Sequence, residues 1–142
     1  MNQIEDNVFV SGQIVPDDMD KLCLMGIRSI INNRPDGETP GQPSHAHIQS
    51  AAREVGFTCH HVPMGGVVTP EIISASIDAY ADTPKPILAY CRSGLRSATL
   101  WAFARVQVLG VTGVMDRISD AGYDLERIRP ALESCAQIAQ KK

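Results

Sequence analysis

The chain has 142 residues, 44% hydrophobic and 20% charged, a composition typical of a folded domain long enough to bury a core. Its formal net charge of -3 argues against a broad nucleic-acid-binding surface, but allows a local pocket for a small anion. The N-terminus lacks the features of a signal peptide, and no apolar run reaches the ~18 residues that span a bilayer. We therefore expect a single cytoplasmic domain over residues 1–142, with neither a nucleic-acid nor a membrane partner.

Strands and helices are predicted to alternate along the chain. Strands are expected at residues 8–10, 27–32, 58–62 and 87–90, and helices at 16–26, 43–55, 70–83, 94–110, 113–120 and 124–139. Thr69 and Pro70 form a typical helix start, as N-cap and first helical residue. The alternation predicts an α/β fold with a mostly parallel central sheet flanked by helices on both faces. In such folds ligands bind at the carboxyl ends of strands.

One strand–loop–helix junction carries the strongest chemical signal. Cys91 follows the buried strand 87–90, and Arg96 lies where the next helix begins. Loop N–H groups and the helix dipole can surround an anion there, and Arg96 can hold an oxyanion with two parallel hydrogen bonds. A cysteine in such positive surroundings ionises near neutral pH, which predicts Cys91 as a catalytic nucleophile. The other candidate anion-binding residues are Arg92, Ser93, Gly94, Leu95 and Ser97.

With this loop, the chain resembles the beta-lactamase hydrolase-like phosphatase-like domain family of the cysteine phosphatase superfamily. The resemblance rests on residues 10–13 (VSGQ), 30–38 (IINNRPDGE), 61–63 (HVP) and 90–97 (YCRSGLRS). It implies a dual-specificity-phosphatase-like fold, with Cys91 as nucleophile and Arg96 as oxyanion clamp. It also implies that the Ser97 hydroxyl stabilises the thiolate, although a hydrogen bond within the first helical turn is an equal alternative.

Two departures from the phosphatase pattern favour a different reaction. Only four residues separate Cys91 from Arg96, as in rhodanese sulfurtransferases, where phosphatases of this superfamily have five. Residues 60–68, where the resemblance places a general-acid aspartate, contain no carboxylate. Losing a general acid costs ~10²–10⁴-fold in rate, and sulfur transfer depends less on that proton. We therefore expect a sulfurtransferase that moves sulfane sulfur from thiosulfate or a low-molecular-weight persulfide to a thiol acceptor through a Cys91 persulfide.

Two other functions remain open at this stage. The first is a cysteine-dependent phosphatase in which Asp36 or Glu38 serves as a displaced acid. The second is an anion-binding module without catalysis. The loop after the second predicted strand and the end of the third could border the pocket, and the candidate residues there are Arg34, Asp36, Glu38 and His61. Oligomeric state cannot be read from the sequence.

No cofactor and no metal site are expected. Side chains of His60 and His61 point to opposite faces of a strand, and His45 and His47 to different sides of a helix. The four cysteines are too widely spaced for a disulfide framework or a zinc-binding pair. Of these, Cys23 and Cys59 are expected in the core, while Lys141 and Lys142 are expected to complement the dipole of the last helix.

Overall fold

Five short strands form one sheet within residues 1–140, the part of the chain that the computed structural model describes. They are β1 (Asn2–Glu5), β2 (Val8–Ser11), β3 (Ser29–Asn32), β4 (Thr58–His61) and β5 (Ile87–Tyr90). The spatial order is β1-β2-β5-β3-β4, with β1 antiparallel to β2 and all other neighbours parallel. Cys91, which follows the central strand, therefore lies at the middle of the carboxyl edge. The role expected of Lys141 and Lys142 lies outside the described residues.

Five helices cover the sheet, and short 3-10 turns precede the first and the last of them. They are α1 (Met19–Leu24), α2 (His45–Glu54), α3 (Pro70–Asp82), α4 (Leu95–Asp120) and α5 (Arg129–Gln140). The start of α3 is as predicted, since the Thr69 hydroxyl accepts a hydrogen bond from the Ile72 N–H at 3.2 Å. Gly110 takes a non-helical conformation (φ 78, ψ 164) and breaks α4 where the sequence predicts a helix end.

The central strand β5 explains why helices are needed on both faces. All four of its residues are buried, and successive side chains point to opposite sides. Ile87 and Ala89 pack with side chains of α3, α4 and α5, whereas Leu88 and Tyr90 pack with those of α1 and α2. This confirms the predicted α/β fold with a mostly parallel sheet.

Strand β1 was not predicted, because only one of its residues, Ile4, is buried and apolar. It is held in place by Glu5, whose carboxylate accepts hydrogen bonds from Trp101 Nε1 at 2.9 Å and from Arg105 at 2.8 and 3.0 Å. Burial alone would raise the pKa of Glu5, but the hydrogen bonds from Arg105 and Trp101 outweigh it and lower the pKa. Contacts that span about a hundred residues therefore create this edge strand.

The expectation for Cys23 is wrong. Helix α1 has six residues, and its buried side is supplied by Met19 and Leu22, which leaves Cys23 exposed. Cys59 is half-buried against the α1–α2 face of the sheet.

Helix α4 is long and apolar enough to cross a membrane by length and composition, and no other helix within the described residues meets that test. Half of its most apolar stretch is buried inside the protein itself. Among the buried residues are Trp101 and Leu100, both with no exposed surface. Packing in the domain's own core therefore accounts for the apolar character of α4.

Candidate active site

Cys91 lies at the base of the loop that joins β5 to α4 and has no exposed surface. Its N–H donates a hydrogen bond to the Ser11 carbonyl at the end of β2, over 3.3 Å. The backbone N–H of Gly94 donates to the Cys91 sulfur at 3.0 Å. At least one loop amide is thus aimed at the sulfur, in the arrangement expected of an anion-binding loop.

The remaining loop residues differ in what they contribute. Arg92 and Ser93 have exposed side chains, and the Arg92 carbonyl accepts a hydrogen bond from the Gln13 N–H at 3.3 Å. Leu95 is half-buried and begins α4. Ser97 is fully buried, and its hydroxyl has no hydrogen-bond partner among the described residues. Neither of the two hydrogen bonds considered for Ser97 is therefore formed in this structure.

Gly94 is required for two reasons. Its φ of +96 lies in the left-handed region that residues with a β-carbon rarely adopt. A β-carbon at this position would also collide with the hydroxyl group of Tyr123, which reaches the loop from the segment after α4. Tyr123 was not among the predicted site residues, because nothing in its local sequence marks a contact with residue 94.

We expect Gly94→Ala to reduce the free energy of unfolding by about 3 kcal/mol, from the left-handed conformation and from overpacking together. In a Tyr123→Phe background the collision with the hydroxyl is removed and only the ring carbon remains close, at 3.1 Å, so the loss should fall to about 1–2 kcal/mol. Urea unfolding of the four proteins in this cycle measures both values. Gly26→Ala is the matched control, since Gly26 has φ +89 but no atom within 4 Å of the added carbon. Equal losses at Gly94 in both backgrounds would contradict the Tyr123 contact.

Arg96 forms a two-pronged ion pair with Glu38, from the loop after β3. Its Nη1 donates to Glu38 Oε2 and its Nη2 to Oε1, each at 2.8 Å, and Nη1 also donates to the Met64 carbonyl at 2.9 Å. Glu38 and Arg96 are 58 positions apart in the sequence. The structure therefore brings one predicted pocket-edge residue, Glu38, onto the predicted oxyanion clamp.

A second arginine, Arg34, fixes Glu38 from the other side. Arg34 is only 4% exposed, and its Nε donates to Glu38 Oε1 at 2.9 Å. Its Nη1 donates to Gln13 Oε1 at 2.9 Å and its Nη2 to Thr39 at 3.2 Å. Because the Gln13 backbone also binds the Arg92 carbonyl, a continuous set of hydrogen bonds links the two ends of the 91–96 loop. We call Gln13, Arg34 and Glu38 the belt.

The belt determines the charge state of Glu38. Hydrogen bonding from Arg96, with a further contribution from Arg34, lowers the pKa of Glu38 to about 2. In turn, the hydrogen bonds that Arg96 donates to Glu38 raise the pKa of Arg96, and negative charge on Cys91 adds to that increase. Glu38 is therefore ionised at neutral pH, and both of its oxygens are occupied as acceptors.

The way Glu38 holds Arg96 leaves part of the guanidinium free. A guanidinium has five N–H groups, and three of them are used by Glu38 and Met64. The remaining two, on Nε and Nη2, lie along one edge of the planar group and are not used by Glu38 or Met64. Two parallel N–H groups of this kind match two oxygens of a phosphoryl group.

The other predicted pocket-edge residues support the belt rather than line the pocket. Asp36 is exposed, and its carboxylate accepts from the His45 N–H at 2.8 Å at the start of α2. His61 Nε2 is 2.9 Å from the Arg34 carbonyl, and its ring stacks on His45 with centroids 4.2 Å apart. Burial, followed by the neighbouring His61, lowers the pKa of His45. Residues 1–137 contain no group of three His, Cys, Asp or Glu side chains that could hold a metal ion.

Two contributors to the site were not predicted because they act through features that sequence patterns do not mark. Met64 provides a backbone carbonyl to Arg96, and any residue at that position has one. Gln13 lies in the VSGQ stretch that supports the family resemblance, so its presence there was the available signal. Its link to Arg34, 21 positions away, depends on β2 and β3 both ending at the same edge.

Residues 1–108 of the chain match the family described as beta-lactamase hydrolase-like protein, phosphatase-like domain. The chain belongs to this family. A beta-lactamase hydrolase-like protein from Xylella fastidiosa (strain Temecula1 / ATCC 700964) is 39% identical over 104 residues, which are 72% of this chain and 24% of that protein. The chain thus spans about a quarter of the length of the curated relatives it matches.

Solved structures extend the likeness to nearly the whole chain. A phosphatase candidate from Neisseria meningitidis superposes with a TM-score of 0.82 at 30% identity, covering 94% of this chain and 96% of that one. PTPMT1 superposes with a TM-score of 0.74 at 16% identity, covering 99% and 96%, and has also been solved in complex with PI(5)P. At that identity PTPMT1 shows the fold alone, which is the cysteine phosphatase fold that the resemblance implied.

The prediction of a sulfurtransferase is wrong. The whole 91–96 loop lies within the phosphatase-like match, so its spacing belongs to that family and does not mark a departure from it. Physically, the left-handed Gly94 closes the shorter loop and still aims an N–H at Cys91. The nearest carboxylate to Arg96 is Glu38, which comes from the loop after β3 and accepts hydrogen bonds from Arg34 and Arg96.

The predicted partners are wrong for the same reason. We inferred a thiosulfate or persulfide donor and a thiol acceptor from the sulfurtransferase reaction. The phosphatase-like match contradicts that reaction, and with it both partners. The solved neighbour PTPMT1 was crystallised with PI(5)P instead.

Proposed function

We propose that this protein is a cysteine-dependent phosphatase that acts through a phosphocysteine at Cys91. One observation carries the proposal: at the carboxyl end of β5 in a phosphatase-like domain, the Gly94 N–H binds the Cys91 sulfur, and Arg96 interacts with the charge on that sulfur. That the neighbour PTPMT1 was solved with PI(5)P supports a phosphorylated substrate here too. A cytoplasmic location is part of the proposal, since the mechanism needs a reduced cysteine.

The first chemical step forms one bond and breaks another at phosphorus. The Cys91 thiolate donates an electron pair to form the S–P bond, while the P–O bond to the leaving group breaks and its electron pair stays on the leaving oxygen. In the second step water attacks phosphorus, the S–P bond breaks, and the thiolate is regenerated with inorganic phosphate. Charge on the transferred group is stabilised by the Gly94 N–H, the positive end of α4 and the two free N–H groups of Arg96.

Each supporting residue has a positional role in this reaction. Glu38 holds Arg96 by one edge of its guanidinium and leaves the other edge available. Arg34 holds Glu38, and Gln13 connects Arg34 to Arg92. Because Cys91 has no exposed surface, a phosphoryl group reaches its sulfur only when a covering side chain moves.

Trapping the covalent intermediate tests the proposal. The protein is mixed with 4-nitrophenyl phosphate, quenched rapidly with acid and digested, and the peptides are weighed by mass spectrometry. We expect release of nitrophenol and a phosphoryl group on the peptide that contains Cys91. Cys23→Ser, at an exposed position outside the loop, is the matched control and should give the same result. Turnover without a phosphocysteine would overturn the proposal, and so would phosphate binding without turnover, which would indicate an anion-binding module.

A further inference from the structure

Within the described residues, no carboxyl or imidazole group of the site is placed to protonate a leaving group. When a phosphate ester of an aliphatic alcohol is cleaved, the departing alkoxide is strongly basic and needs a proton as the P–O bond breaks. A general acid that supplies this proton contributes ~10²–10⁴-fold to the rate. The proposed phosphatase can therefore use such substrates only if one of its residues donates that proton.

Glu38 is the carboxyl group nearest to the reacting loop, and it cannot serve as the acid. Its two oxygens accept three hydrogen bonds from Arg34 and Arg96, all between 2.8 and 2.9 Å. A proton on either oxygen would have to displace one of these charged donors. Glu38 is held as an anion, which suits it to orienting arginines and not to giving up a proton.

Apart from the Tyr123 hydroxyl beside Gly94, which the Tyr123→Phe variant tests, the other titratable side chains around the loop are committed elsewhere or absent within the described residues. Residues 62–68, which pass over the site through the Met64 contact with Arg96, contain no titratable side chain. Asp36 accepts the helix N–H of His45, and His61 binds the Arg34 carbonyl. Asp18 accepts the Val15 N–H, and together with Arg92 it lines a cavity of about 550 Å³.

What the site does provide is positive charge and N–H groups. The Gly94 amide, the free edge of Arg96 and the start of α4 all stabilise negative charge at phosphorus and on a departing oxygen. Such a site favours leaving groups that depart as stable anions. It offers nothing to a leaving group that must be protonated as it departs.

We propose that the site acts on phosphoryl compounds with an acidic leaving group, namely phosphoanhydrides, acyl phosphates and esters of acidic phenols, and not on phosphate esters of aliphatic alcohols. This inference rests on the proposed phosphatase function. In the first step the P–O bond breaks, the leaving group takes the electron pair and departs as an anion, and no proton is transferred from the protein.

A leaving-group series tests the inference. The value of kcat/KM, which reports the step up to the first irreversible bond cleavage, is measured for aryl phosphates whose phenols span a wide range of acidity. Acetyl phosphate, inorganic pyrophosphate and glycerol phosphate extend the series. We expect kcat/KM to fall steeply as the leaving group becomes more basic, with glycerol phosphate at least ~10²-fold below the esters of acidic phenols. We also expect no loss of kcat/KM on the alkaline side, where a general acid would lose its proton.

The outcomes separate this inference from the function on which it rests. Turnover that hardly depends on the leaving group would overturn the inference while leaving the phosphatase intact. Absence of turnover and of phosphocysteine with every compound would overturn the phosphatase proposal itself.

Tyr123→Phe is included because the Tyr123 hydroxyl contacts Gly94. A steeper dependence in Tyr123→Phe or in Glu38→Gln than in the wild type would identify that residue as a proton donor and overturn the inference.

Discussion

Cys91→Ser is expected to lower kcat for aryl phosphate hydrolysis by roughly 10⁴-fold or more, because a serine hydroxyl stays protonated at neutral pH and is a poor nucleophile without an adjacent base. No described side chain near residue 91 is placed to act as that base, since Glu38 is occupied by Arg34 and Arg96. Steady-state kinetics with 4-nitrophenyl phosphate measure the effect. Residual activity within tenfold of the wild type would contradict the assignment of Cys91 as nucleophile.

The same variant separates catalysis from binding. The Gly94 N–H and the free edge of Arg96 remain in Cys91→Ser, so inorganic phosphate should still bind, and calorimetric titration measures this. Cys23→Ser controls for loss of a thiol as such, and thermal unfolding of all three proteins controls for loss of the fold. If Cys91→Ser lost phosphate binding while it remained folded, the sulfur itself, and not the loop, would be holding the anion.

The parts of this protein that could be predicted are those that local sequence determines. The four apolar residues of β5, which follow Pro86, are typical of a buried strand, and Thr69 with Pro70 fixes the start of α3. Gly94 between Cys91 and Arg96 marks a tight loop because the left-handed conformation there needs glycine. The placement of Cys91 and Arg96 on one strand–loop–helix junction followed from these features.

What could not be predicted depends on contacts between distant residues. Strand β1 exists because Glu5 meets Trp101 and Arg105, about a hundred positions away. Asp36 and Glu38 are two positions apart and were equivalent candidates for the pocket edge. The structure distinguishes them, because Glu38 binds Arg96 whereas Asp36 caps α2.

The sulfurtransferase prediction was wrong because it depended mainly on the length of the loop between Cys91 and Arg96. The number of residues between Cys91 and Arg96 sets the size of the loop, but the chemistry also depends on what surrounds that loop. In this protein the surroundings are the belt of Gln13, Arg34 and Glu38, contributed by the loops after β2 and β3. No six-residue string contains that information.

Arg96→Lys tests the belt and the oxyanion clamp together. We expect this variant to lower kcat/KM for aryl phosphates by about 10²–10³-fold, because it loses an oxyanion-binding donor. Arg96 binds Glu38 with one edge and leaves a second edge free, whereas an ammonium group is a single point charge that pairs with one anion at a time. A lysine at this position would pair with Glu38 or with the phosphoryl group but would not hold both in a fixed geometry. Activity of Arg96→Lys within threefold of the wild type would show that charge alone suffices.

Glu38→Gln gives the complementary measurement. Arg34 keeps partners in Gln13 and Thr39, so the loop after β3 should stay folded, while Arg96 loses its charged partner and gains freedom to move. If Glu38 positions Arg96, kcat should fall, with a smaller loss than in Arg96→Lys because the free edge of the guanidinium survives. If Glu38 instead competes with the substrate for Arg96, the variant should bind phosphate more tightly and show a lower KM. Because Glu38 does not use the Nε edge of Arg96, we expect the fall in kcat. A gain in phosphate affinity would show that Glu38 blocks the site and does not position Arg96.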